Sequence, residues 1–535
     1  LSDPHSSCSL IVGPQCDSDN RTTLAQATMT AGSSPSRGQR TEDIMQNVTD
    51  DIHYIQPARA ASNATPLAAA TPLRRLYRDL MRDQPDASAL QCSEQWLRQQ
   101  LAATDALESD LPENMDDIGE WIAASTALVG QRYRHYLEAR KAGGPRQYFS
   151  SKSHALYFLK SVAPTKLVDG AWLYGLTPYW NDARFTALIR IYLEELGDGV
   201  PERNHVLLFK RLLAAHGCEH WENLSEDHYV QGVIQLALAR HAGDFLPEVI
   251  GFNLGYEQLP LHLLICAYEL NELGIDPTYF TLHVTVDNAD TGHARKALEG
   301  LMEAMPRVGD RQAFMQRVAR GYKLNMLGAC TNSVIAEFDI DREIVAVFTG
   351  KSATGKEAHS DYCRIGGRAV NDWLSEPSQI PAFLDALVER DWIRRGDDPQ
   401  NSRFWRLLQG ERAEMFGVFS AYEQQVIHDW IAADWEGAQR RQISFRARQR
   451  LMDTLGQPAP SDWHGVRGVL RNPAQRSAPG AQNDFNSELR TLEETLAAQE
   501  SREQAMDLLV QLMAPASHHT PAGLMATRIY SRMLA

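Results

Sequence analysis

The feature that most limits the fold is a train of helix-length amphipathic segments from about residue 145 to 335, each cut off by Gly or Pro. In "ARFTALIRIYLEELGDG", "NHVLLFKRLLAAHG" and "EDHYVQGVIQLALARH" apolar residues recur three and four positions apart. That is the helical period, not the alternation of a half-buried strand. About seven such pieces predict an all-α bundle. "LRRLYRDLMRD" and "WIAASTALVGQRYRHYLEARKA" carry the same pattern back to residue 66, so a helical bundle is expected over 66–335.

The flanks read differently. Residues 1–65 are rich in Ser, Thr, Asp, Asn and Gln without lasting periodicity, the composition of a disordered tail. Residues 336–450 read as a mostly helical C-terminal module, containing one strand-like run, "EIVAVFTGKSATG". A Pro/Gly-rich linker is expected over 451–485, then a terminal helix and tail over 486–535. With 43% hydrophobic residues the 535-residue chain can bury a sizeable core. No run approaches the roughly 18 apolar residues of a membrane span. The 53 Lys and Arg against 68 Asp and Glu leave a net charge of −15, which disfavours nucleic acid and anionic lipid as partners. Seven widely spaced cysteines without a CxxC pair fit a reducing compartment, and no charged-then-apolar leader opens the chain, so a cytoplasmic protein is expected. A homodimer remains open.

Three motifs carry little. Gly350 to Glu357, "GKSATGKE", nearly matches a phosphate-binding loop, but Glu357 replaces the hydroxyl that would hold Mg²⁺. His216, Cys218 and His220 alternate where a helix ends, without a fourth ligand nearby. Residues 351–412 suggest short helices and a turn, but their ten basic and ten acidic residues form no basic stripe for DNA.

The bundle also holds polar residues where a packed helix should have none. In "DPTYFTLHVTVDNADTGHA", His283, Asp287 and Asp290 lie at i, i+4 and i+7. On a continuous helix they share one face, at roughly 0°, 40° and −20°, with His293 at its edge near −80°. Such a stripe must be paired or bound to metal, and imidazole with carboxylate suits Fe, Mn or Zn. Facing segments offer Glu195 and His205 across a Gly-rich break, and Glu257 in an apolar run just before Pro260. Dimetal carboxylate bundles are assembled in this way, although only Glu202 to His205 has the ferritin-like Glu-x-x-His spacing.

That order of residues resembles the heme-oxygenase-like diiron oxidases and oxygenases, also called iron-containing redox enzymes. The likeness covers about residues 150–310. It rests on "EELGDG" with His205, on "GYEQLP" at Glu257, and on "YFTLHVTVD". The resemblance implies a heme-oxygenase-like helical bundle whose metal ligands are Glu195, His205, Glu257, His283 and Asp287. Asp290 stands where the family pattern has its final His. His293 would restore the family's ligand set if Gly292 allows a local helix distortion that brings it inward, whereas regular helical geometry favours Asp290. Asp169, in "LVDGAW", is a further carboxylate of the kind some members use. The resemblance implies two iron ions cycling between Fe(II) and Fe(III), with O₂ as co-substrate. It implies oxidation of a small molecule such as an amine, amino acid or fatty acid, by N-oxygenation, C–C cleavage or a related reaction. The alternative is a non-catalytic helical scaffold or interaction protein with a vestigial metal site. Cys266 lies in an apolar run with no basic neighbour and reads as inert core.

Overall fold

Helices account for nearly all the regular structure in the computed structural model, which describes residues 71–286, 292–410, 413–435 and 487–534. The expected tail 1–65 and linker 451–485 lie outside these residues. The described residues fall into two compact units, 71–338 with 487–534, and 339–435.

In the first unit the helices begin with α1 (Pro72–Leu80), α2 (Ala87–Ala103), α3 (Ile118–Lys141), α4 (Lys152–Ser161) and α5 (Ala163–Lys166). They continue with α6 (Thr186–Glu195), α7 (His205–Ala215), α8 (Val230–Arg240), α9 (Leu246–Tyr256) and α10 (Leu261–Glu272). Then come α11 (Thr278–Val286), α12 (His293–Ala304), α13 (Arg311–Lys323) and α14 (Thr331–Glu337). This is the all-α architecture expected, in more and shorter pieces than the seven or so helices read from periodicity. Polar caps divide it. Ser151 accepts from His154 N–H, Asn204 from Leu207 N–H and Asp310 from Ala313 N–H, each satisfying a first-turn donor.

Burial follows the helical period. On α12, His293, Ala294, Ala297, Gly300, Leu301 and Ala304 are buried and the opposite face is solvated. The main core joins Trp172, Leu188, Ile189, Tyr192, Ile234, Phe252 and Leu301. α9 packs along α13, α12 along α6, and α11 against α7 and α10. These pairings bring the ends of α6, α7, α9, α11 and α12 to one place, and all of those ends carry His or carboxylate residues.

The second unit contains α15 (Ile340–Gly355), α16 (Val370–Leu374), α17 (Ile380–Glu389), α18 (Arg403–Leu408) and α19 (Ala421–Ala432). A two-residue antiparallel pair, Arg364–Ile365 with Arg368–Ala369, is the one sheet among the described residues. The strand-like run at 343–355 is therefore helical. Ile, Val, Phe and Thr favour strands, but only weakly against context. Here Asp339 caps the first turn through Asp341 and Arg342 N–H, and Ile344, Val347 and Phe348 are buried at helical spacing. The near match to a phosphate loop lies on this helix and just past its end, without the loop a phosphate cradle requires.

Residues 487–534 belong to the first unit and form three helices rather than one: α20 (Ser487–Ala497), α21 (Arg502–Leu512) and α22 (Pro521–Leu534). Ser501 caps α21 and so divides the long amphipathic run. α22 packs on the Gly197–Gly199 turn that follows α6. No helix among the described residues is long and apolar enough to cross a membrane.

Candidate metal centre

Five of the residues read from the sequence converge in the first unit. Glu195 ends α6 and His205 opens α7 after the Asn204 cap. Glu257 follows the last turn of α9, three residues before Pro260 opens α10. His283 lies on α11 and His293 opens α12 behind an extended Gly292. Asp287 and Asp290 lie outside the described residues. The further carboxylate that the resemblance implies, Asp169, joins them from between α5 and the 3-10 turn Ala171–Tyr179. Gly170 makes that approach possible. Its φ is +80°, and a Cβ there would meet Glu195 Cβ at 2.8 Å.

The six residues form two groups. Ligand-capable atoms of Asp169, Glu195, His205 and His283 all lie within 4.8 Å of one another, as do those of Glu195, Glu257 and His293. Glu195 belongs to both, with Oε2 2.6 Å from His205 Nδ1 and Oε1 3.2 Å from His293 Nδ1. His293 Nδ1 is also 2.9 Å from Glu257 Oε2, and His283 Nε2 is 3.0 Å from Asp169 Oδ2. The rings of His205 and His283 are 4.2 Å apart between centroids. All six residues are buried, none more than 4% exposed. Ionised carboxylates at such depth require a positive partner.

The hydrogen bonds show what these atoms can do. The Tyr279 carbonyl can only accept, so His283 Nδ1 carries a proton and donates to it at 2.8 Å. A neutral His283 then presents the lone pair of Nε2 to the Asp169 carboxylate, and only a cation or a second proton reconciles the two. His293 repeats the arrangement. Nε2 donates to Glu194 Oε2 at 3.0 Å, while Nδ1 faces Glu195 and Glu257. An imidazole oriented by a carbonyl or carboxylate through its far nitrogen is the usual state of a metal-ligating histidine. Glu195 Oε2 and His205 Nδ1 make no hydrogen bond of acceptable angle despite their closeness. Both residues belong to the group whose ligand-capable atoms lie within 4.8 Å of one another. The donor set, three carboxylates and three imidazoles, therefore fits first-row metal ions such as iron.

The electrostatics agree. Burial pushes Asp169 up, but Lys166, 3.8 Å away, and His283 outweigh it and hold the carboxyl at about 2. Burial likewise opposes ionisation of Glu195, and His205 and His293 draw it well below the usual carboxylate range. Glu194, bonded to His293 and Lys296, is held at about 2 against its own burial. Asp169 also accepts from Tyr256 OH at 2.9 Å and Tyr279 OH at 2.5 Å. Burial and that neighbouring carboxylate push both phenols well above their ordinary value, so they remain donors. Lys166, Glu194, Tyr256 and Tyr279 are not marked by the sequence reading. The signals were there: Tyr279 lies one helical turn before His283, and Lys166 three residues before Asp169.

A cavity of about 120 Å³ adjoins the cluster. Glu195, Glu257 and His283 line it together with Lys166, Gln231 and Gln258. Cys266 is fully buried, and burial and Glu269 push its thiol well up against the smaller opposing pull of Lys166. Cys218 is buried and His220 exposed, and the 216–220 segment contributes nothing to either metal-competent group.

Residues 156–326 match the model of a protein family described as iron-containing redox enzyme, and the helical bundle is of the heme-oxygenase-like class. The matched segment contains all six clustered residues. No curated protein and no solved structure matches the chain.

Proposed function

We propose that this chain, whose residues 156–326 carry an iron-containing redox enzyme domain, is an O₂-dependent non-heme diiron oxygenase or oxidase of a small molecule such as an amine, amino acid or fatty acid. The observation that carries the reading is the sharing of Glu195 by two buried His/carboxylate groups. Asp169, Glu195, His205 and His283 would hold one iron, and Glu195, Glu257 and His293 the other. A bound iron pair supplies the electrons that reduce O₂.

The protein's part is geometric and electrostatic. Tyr256 and Tyr279 keep their protons and fix the Asp169 carboxylate by donating to both of its oxygens. The Tyr279 carbonyl and Glu194 hold His283 and His293 in the tautomers that leave the ligating nitrogens unprotonated. Phe252, Leu254, Leu263 and Phe280, all buried nearby in the chain, keep bulk water away. The cavity beside Glu195, Glu257 and His283 gives a small substrate access to the same side chains.

The test is to load the purified protein with Fe(II) without air and mix it rapidly with O₂. Oxygen uptake and a new absorbance of oxidised iron are expected in the parent. His283→Ala should lose both while its circular dichroism stays helical. Full iron occupancy in that variant would refute the ligand assignment.

A further inference from the structure

We infer that the C-terminal segment 487–534 positions the metal-binding turn: His518 holds Asn204, and through it the ends of the two helices that carry Glu195 and His205. The inference rests on the proposed metal centre, and it concerns a part of the chain outside the family match.

Asn204 sits between the two ligands in sequence and joins their helices in space. Its Oδ1 accepts from Leu207 N–H at 2.9 Å, capping α7 two residues after His205. Its Nδ2 donates to the Leu196 carbonyl at 3.2 Å, the residue after Glu195. The same Nδ2 lies 3.1 Å from His518 Nδ1. An amide nitrogen can only donate, so His518 Nδ1 accepts and its ring proton is on Nε2. Both residues are buried, at 0% and 1% exposure. Burial first, then His519 and Lys210, push His518 down to about 3, so the ring stays in its accepting form at neutral pH.

The rest of the segment grips the same turn. Gly199 has φ +74°, and a Cβ there would meet the Leu524 carbonyl oxygen at 2.2 Å, so α22 lies directly on its backbone. Arg528 donates to the Gly199 carbonyl at 2.9 Å, and Ser531 donates to Asp198 at 3.2 Å. One turn before Glu195, Tyr192 OH donates to the Met513 carbonyl at 2.5 Å. A metal binds tightly when its ligands are already in place, and loss of a residue that orients a ligand typically weakens binding about 10–100-fold. His518 and α22 fix the break between α6 and α7, where the chain has two positive-φ glycines and a positive-φ Asp198 to constrain.

The experiment is anaerobic Fe(II) titration of the full chain, with Co(II) absorption as a second readout of ligand geometry. His518→Phe keeps bulk but removes the acceptor, and should weaken Fe(II) binding about 10–100-fold and shift the Co(II) bands. His518→Gln restores an acceptor and should recover both. Tyr530→Phe cuts a tether to the Thr177 carbonyl, away from the ligand turn, and should lower the melting temperature without changing iron affinity. If His518→Phe does not fold, Arg528→Met, at a half-buried site, should weaken binding by a smaller factor. Parental affinity in the folded member of that pair overturns the inference while leaving the metal centre intact. So does a loss of iron affinity in Tyr530→Phe that simply follows its loss of stability. A parent that binds no Fe(II) overturns both the metal centre and the inference.

Discussion

Asp169→Asn tests the electrostatic account at its core. The substitution keeps the shape of the side chain and removes its charge. In the parent, Lys166 and His283 hold the carboxyl at about 2 against an ordinary value of 3.8. The gap corresponds to about 2 kcal/mol in favour of the folded, ionised form. Because the folded value is the lower one, that stabilisation is fully present at pH 7, above 3.8, and is lost as the pH falls through about 2. The amide should therefore lower the stability of the metal-free protein by about 2 kcal/mol at pH 7. Iron adds a second difference. At a free concentration of 100 times Kd, Fe(II) stabilises the parent by about 2.7 kcal/mol, and the variant, short of one ligand, should gain much less. Urea unfolding with and without Fe(II), under argon, reads both effects. A variant that unfolds at the parental midpoint in both conditions would refute the reasoning.

Glu194→Leu removes the group that orients His293 through Nε2, so Fe(II) affinity should fall about 10–100-fold with the helical content unchanged. Parental affinity there would show that Glu194 has no such role. His154 is buried, stacks on Phe338 at 4.5 Å, accepts from Ser150 N–H at Nδ1 and donates from Nε2 to the Ile335 carbonyl. Burial holds it below 6.5 despite the pull of Glu269, so its contribution is present above pH 6.5 and fades as the pH drops further. Stability should then decline from pH 7 to pH 5.5, and less steeply in His154→Gln; equal slopes would contradict the assignment. Cys92 is exposed and should react with a thiol reagent in the native protein, whereas Cys266, fully buried with its thiol pushed well up, should react only on unfolding.

Much of the bundle was legible because helical periodicity is a local signal. Glu195, His205, Glu257 and His283 stood out as polar residues in apolar surroundings, which is again local information. Asp169 sits in a turn with no periodic pattern to violate, so only the family resemblance marks it. For the stretch 278–293 the sequence leaves two readings open, a regular helix that favours Asp290 and a distortion at Gly292 that brings His293 inward. Gly292 is extended and His293 starts a new helix, so a helical wheel cannot place its ring. Its contacts with Glu195 and Glu257 are tertiary. The strand-like appearance of α15 shows the reverse error, β-branched residues whose capping and burial pattern are helical. His518 could not have been found at all: 314 residues separate it from Asn204, and only the folded chain brings them together.

The central claim is that Glu195 joins two metal sites. Anaerobic Fe(II) titration of the parent and of Glu195→Ala tests it most directly. The account predicts about two irons per chain in the parent, the stoichiometry of dimetal carboxylate bundles, and loss of both in the variant. One iron in the parent, or two irons retained without Glu195, would contradict it.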